Sequence, residues 1–136
     1  MKSPPPKRLE SRLRIWLELD GRPVYGDGKH RALELIEETG SLRAAAKAMG
    51  ISYRNLWGRF RGMEARLGFR LVARRQGGPG GGGMELTREG RALMAAYRRF
   101  RRDVDRSVGR RSTARRELEA AVQAGRRSRR PKKKSS

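Results

Sequence analysis

Residues 40–67, GSLRAAAKAMGISYRNLWGRFRGMEARL, constrain the fold more than any other stretch of this chain. Ser41 can cap a helix made compact by Ala44, Ala45, Ala46 and Ala48, and Gly50 breaks it. Ile51 is placed to plug the turn from beneath, and Ser52 can cap a second helix through its hydroxyl. On that second helix Leu56, Phe60, Met63 and Leu67 form one apolar stripe facing inward. Arg54, Asn55, Gly58, Arg59 and Arg61 take its leading and opposite faces. A short Ala-rich helix, a Gly turn and a basic second helix describe a helix-turn-helix, whose second helix lies in the DNA major groove. The same pattern also describes an ordinary helical hairpin inside a core.

Charge bears on this choice. The chain of 136 residues has 35 Lys and Arg against 14 Asp and Glu, a net charge of +21. Such a field attracts polyanions, with nucleic acid first and an anionic membrane surface second. There is no cysteine and a single histidine, His30, which excludes thiolate metal sites, disulfides and cysteine nucleophiles. No metal site or cofactor is expected, and no paired carboxylates suggest catalysis, so an enzyme is not expected. Eight scattered aromatics do not make the stacking platform expected of a single-stranded RNA binder. No apolar run approaches the roughly 18–20 residues that span a bilayer. The start, MKSPPPKRLESRLR, lacks the apolar segment of a secretory signal, so a cytoplasmic, nucleoid-associated protein is expected.

Three regions follow. Residues 1–11, with Pro4-Pro5-Pro6, form an expected disordered basic arm. Residues 12–105 form the domain, and residues 106–136 a basic, largely disordered tail carrying +10 of the charge. Within the tail, Glu117 to Ala124 have the pattern of one more short helix.

In the domain, RLRIWLELDGRPVYG reads as a hairpin turning at Asp20-Gly21, with Leu13, Ile15, Leu17 and Leu19 on one face and Trp16 on the other. A helix over 28–39 is expected to be capped by Asp27 or Gly28 and stopped by Gly40. Leu33, Ile36 and Leu35 face inward on it, and His30 is expected at its surface or as a cap. After the helix-turn-helix, FRLVARR reads as a strand with Phe69, Leu71 and Ala73 on one face, and Met84-Glu85-Leu86 as its return. The run Gly77 to Gly83, interrupted by Pro79, is a wing tip or a domain linker; it lacks the Gly-Lys-Ser/Thr of a phosphate-binding enzyme loop. Arg74 and Arg75 stand at the base of this wing. Thr87 caps a final helix whose stripe runs Leu93, Tyr97, Phe100, Val104 and Val108. About 20 helical residues extend roughly 30 Å. That exceeds what a small domain must cover, so the stripe either serves a second subunit or closes the domain's own core.

Taken together, WLELDGRPVYGDG, GSLRAAAKAMGISYRNLW, GGPGGGG and MELTREG resemble the N-terminal DNA-binding domain of ModE-type molybdenum-dependent transcriptional regulators, over about residues 12–105. The resemblance implies a mainly α fold with small β elements: a winged helix-turn-helix of the LysR-like kind, with an N-terminal β-hairpin, a glycine-rich wing and a long C-terminal dimerisation helix. It implies a homodimer on double-stranded DNA, with Leu93, Tyr97, Phe100 and Val104 in the dimer contact. By motif it places Ser52, Tyr53, Arg54 and Asn55 at the DNA-facing start of the recognition helix, and Gly77, Gly78, Gly80 and Gly81 in the wing. Gly58, Arg59, Arg74, Arg75 and, on the preceding helix, Ser41 and Arg43 complete the candidate DNA-binding set. Family members that sense molybdate carry small β-barrel domains after this one. The basic residues beyond 105 are too few and too polar for such a barrel, so a single-domain form with no evident molybdate site is expected. The expected function is sequence-specific transcriptional regulation; the alternative is an architectural DNA-binding protein with little sequence preference.

Overall fold

A two-residue turn starts the fold. Asp20 and Gly21 both have positive φ, 51° and 76°, as the tight turn that matches strand twist requires. It joins β1 (Trp16–Leu19) to β2 (Arg22–Gly26) as an antiparallel pair. The computed structural model describes residues 8–76, 83–109 and 113–129. The register shifts between Leu17 and Glu18, which face Tyr25 and Pro23, so Val24 is the extra residue of a bulge. The bulge breaks the alternation, and both Val24 and Tyr25 enter the core. Of the four aliphatic residues expected on the β1 face, Ile15 and Leu17 pack against the core, whereas Leu13 and Leu19 are exposed. A two-stranded ribbon has only its middle over the core; its ends reach past it.

Among the described residues five helices follow: α1 (Asp27–Thr39), α2 (Leu42–Met49), α3 (Tyr53–Leu67), α4 (Arg88–Ser107) and α5 (Thr113–Ser128). At the start of α1 the expected side-chain cap is absent. Gly26 holds the N-cap position, and Asp27 instead accepts hydrogen bonds from the Ile15 N–H at 3.2 Å and from the Tyr97 hydroxyl. Gly26 is required by crowding rather than by φ: a Cβ there would stand 2.7 Å from the Ile15 carbonyl oxygen. Gly40 ends α1 in the left-handed conformation, with its N–H on Ile36 O.

The α2–α3 turn forms as expected. The Ser41 hydroxyl accepts from Ala44 N at 3.1 Å, and the Ser52 hydroxyl from Asn55 N at 3.0 Å. Between them, Gly50 N bonds Lys47 O and Ile51 N bonds Ala46 O, the paired bonds of a Schellman ending, with Ile51 packed on the core. Leu56, Phe60 and Met63 are buried against Leu33, Ile36, Ala45 and Ala46 in one core cluster. At roughly 1.5–3 kcal/mol per buried large apolar side chain, this cluster holds the turn's geometry far more strongly than the caps do.

The wing strands β3 (Val72–Arg75) and β4 (Gly83–Leu86) pair antiparallel, Val72 opposite Leu86 and Arg75 opposite Gly83. The expected face of Phe69, Leu71 and Ala73 is corrected: Phe69 is exposed, and the adjacent pair Leu71 and Val72 is buried. Leu71 lies before the strand, where both its N–H and that of Val72 bond to Glu64 Oε2 at 2.6 and 3.3 Å, so strand alternation does not apply there. Thr87 bonds Gly90 N through its hydroxyl and starts α4. Gly90 packs on the Leu71 carbonyl so closely that a Cβ would overlap it.

Residues Leu13–Arg99 form one compact unit holding this core; residues 8–12 and the described residues from Phe100 onward form another. In the second, α5 spans more than the Glu117–Ala124 segment expected and buries no residue. Arg115 bonds Ser11 and pairs with Glu119 at 2.7 Å. Among the described residues no helix is long and apolar enough to cross a membrane, and no group of three His, Cys, Asp or Glu could hold a metal ion.

Candidate nucleic-acid interface

The inward stripe of α3 is fixed by the core, so its remaining positions must face out. Arg54, Asn55, Gly58 and Arg59 are all exposed. Arg59 Nε donates to Asn55 Oδ1 at 2.7 Å, one turn apart, so the two side chains are held together. The pair keeps the Asn55 amide and the Arg59 terminal nitrogens as donors, the groups that read adenine and guanine edges. A Cβ added at Gly58 would meet nothing within 4 Å, so this glycine answers no packing demand. It leaves a bare strip on the outer face instead.

Tyr53, half-buried at the first turn, lies beneath the Arg43 guanidinium, whose carbon is 5.0 Å from the ring centroid. This contact links the exposed side of α2 to the start of α3. Arg61 stands over Trp57 in the same way at 5.9 Å. Neither α2 nor α3 has an acidic residue in its first turn. The positive ends of both helix dipoles are therefore uncompensated, as suits a phosphate. The hydroxyls of Ser41 and Ser52 are engaged as caps, so the contribution of these residues is to shape the helix starts.

The wing arginines divide. Arg74 is exposed on β3. Arg75 folds back over the end of α1: its Nη2 is 3.0 Å from where a Gly83 Cβ would be and 3.8 Å from a Gly40 Cβ. There it sits by the C-terminal carbonyls of α1, and Gly40 O also accepts Met84 N at 2.9 Å. Gly77, Gly78, Gly80 and Gly81 lie outside the described residues. Along α4, Tyr97 is buried in the core of the single chain. Leu93 packs partly against that core, Val104 is half-buried, and Phe100 and Val108 are exposed.

A polar cluster behind the interface was not foreseen. Tyr25 Oη lies 2.8 Å from His30 Nδ1, and the Tyr97 ring packs edge-on to Tyr25 and tilted against His30, with centroids 5.0 Å from Tyr25 and 4.9 Å from His30. Glu34 faces His30 Nε2 at 3.7 Å, and Arg98 approaches Glu34 and Glu37. Burial, then the neighbouring Tyr97 and Glu34, push the Tyr25 phenol well above its ordinary range. Tyr25 therefore stays protonated and donates to Nδ1, leaving the ring hydrogen on Nε2 toward Glu34. His30 is half-buried against Tyr25 and Tyr97 rather than at the open surface expected, and burial lowers its pKa, with Glu34 opposing. No periodicity signals this cluster, because its members come from β2, α1 and α4.

Residues 29–91, from α1 through the wing to the start of α4, match the model of the bacterial regulatory helix-turn-helix protein, lysR family. The chain carries a LysR-family helix-turn-helix domain. It is 39% identical over 85 residues to the molybdenum transport protein ModE of Azotobacter vinelandii, covering 62% of this chain and 32% of that protein. It is 37% identical over 90 residues to the transcriptional regulator ModE of Yersinia pestis, covering 65% and 34%. The chain spans about a third of the length of these relatives. The crystal structure of a CbnR_DBD-DNA complex is 28% identical with a TM-score of 0.43, covering 75% of this chain and 92% of that one.

Proposed function

We propose that this chain is a sequence-specific transcriptional regulator, not an enzyme, that binds double-stranded DNA as a homodimer with the start of α3 in the major groove. One observation carries the reading. Arg54, Asn55 and Arg59 form an exposed, acid-free face at the start of a helix whose other side is locked into the core. Arg54 or Arg59 would address guanine, Asn55 adenine, and Arg43, Arg74 and the wing the phosphates or minor groove. The name of the Yersinia pestis relative, a transcriptional regulator, supports the role. The proposal does not extend to molybdenum sensing, because the likeness is confined to about a third of the relatives' length.

For the dimer, the support is the apolar surface that Phe100 and Val104 of α4 make with Val108 just past its end. Two recognition helices would then address half-sites about 34 Å apart. Selection from a random duplex library with the full chain tests this: a motif of two related half-sites one helical turn apart is expected, and failure to enrich any motif rejects it.

A second reading has its own support. The net charge of +21 and a basic α5 with no buried residue suit an architectural protein held mainly by phosphate contacts. Binding to selected and random duplexes across a salt series separates the two, since a ratio near one favours the architectural role.

A further inference from the structure

We propose that the cleft between the β-hairpin, the start of α1 and α3 is a binding site for a small organic anion with an apolar body, such as an aromatic carboxylate. The cleft measures about 540 Å³, within the roughly 300–1,000 Å³ usual for small-molecule sites. It lies wholly inside the Leu13–Arg99 unit. Its floor is apolar, built by Ala32 of α1 and by Leu56, Phe60 and Met63 of α3. Above that buried floor the cleft is lined by Ile15, Trp16, Pro23 and Met49, none of them fully buried, and the aryl or branched part of a ligand would cover these side chains and displace water from them.

The mouth has the opposite character. Arg14 before β1, Lys29 of α1 and Arg59 of α3 line it, and none of them forms an ion pair among the described residues. The carboxylate of Asp27 also lines the cleft, but it already accepts hydrogen bonds from Ile15 N and the Tyr97 hydroxyl. Partial burial, then Arg66 and Arg59, lower the Lys29 pKa, as expected for an ammonium held among like charges. An anion at the mouth would relieve that repulsion, while a cation would add to it. A bare phosphate would satisfy the mouth and leave the apolar lining at Ile15, Trp16 and Met49 wet; a neutral apolar molecule would do the reverse. An anion with an apolar body is the one class that satisfies both.

Occupancy would act close to the proposed reading head, because Arg59 belongs both to the mouth and to the Asn55 pair. The site does not depend on DNA and is tested in its absence. The full chain is titrated at about 0.15 M salt, where exposed charges are screened beyond roughly 8 Å. The fluorescent probes are anilinonaphthalene sulfonate and phenylnaphthylamine, the same rings without the sulfonate. Saturable binding of one sulfonate probe per chain is expected, at least about tenfold tighter than the neutral one. Lys29→Gln should weaken the sulfonate probe about tenfold, the scale of one lost charged hydrogen bond. Gly28→Leu should abolish it: Gly28 lines the cleft, and a Cβ there meets nothing within 4 Å, so the new side chain enters open space without disturbing the helix. Thermal midpoints of both variants confirm that they fold. Equal sulfonate binding by the parent chain and both variants would overturn the site, and equal affinity for the two probes would overturn its anion preference.

Discussion

Gly90 and Gly58 are both helical glycines, yet the structure assigns them opposite meanings. At Gly90 a Cβ would overlap the Leu71 carbonyl, backbone that cannot swing aside, so α4 meets the wing only because the side chain is missing. At Gly58 a Cβ meets open space. Gly90→Ala should therefore cost about 1–3 kcal/mol, and Gly58→Ala should stabilise by up to about 1 kcal/mol through helix propensity. Urea unfolding midpoints of the two variants check the difference in sign. His30 makes a second residue-scale case. Its folded pKa is lowered by burial, so below the ordinary value near 6.5 the unfolded chain takes up protons that the native chain resists. This share of the stability is whole above about pH 6.5 and is lost as pH falls toward the folded pKa. His30→Gln, which can still accept from Tyr25, should flatten the decline in urea midpoint between about pH 6.5 and 5 relative to the parent. An unchanged slope would show that protonation of His30 is not resisted.

At the scale of elements, legibility followed the range of the forces. The helix-turn-helix could be read because its determinants are local: Ser41, Gly50 and Ser52 act within four residues of themselves, and the Leu56–Phe60–Met63 stripe repeats at the helical period. The Asp20-Gly21 turn was readable for the same reason. What could not be read came from elsewhere in the chain. The bulge that buries Val24 beside Tyr25 depends on α1 and α4 behind the hairpin. Asp27 is taken from its expected capping role by Ile15 and by Tyr97, 70 residues away. Leu71 and Val72 are both buried because Glu64, a nominal surface residue of α3, turns its carboxylate onto their N–H groups. Glu64→Ala leaves two donors without their acceptor and should cost about 2 kcal/mol, measured by urea unfolding. Amide exchange at Leu71 and Val72 should accelerate more than in α2, since the loss is felt where the wing starts. Equal acceleration everywhere would mean that Glu64 does not anchor that strand.

For the molecule as a whole, geometry and charge divide the work. The core of Leu13–Arg99 fixes where Arg54, Asn55 and Arg59 stand. The excess of 35 basic over 14 acidic residues provides attraction that any DNA would feel. Only the first can discriminate among sequences, and the central claim is that the start of α3 does so. The direct test is the sequence preference of the full chain, measured as the affinity ratio between selected and random duplexes, for the parent, Arg54→Ala and Asn55→Ala. Each substitution should lower affinity for the selected duplex by about 1–3 kcal/mol and relax the preference at one base position per half-site, while random duplex is bound nearly as before. If both variants keep the parent's ratio and motif, α3 is not the reading element and the account fails.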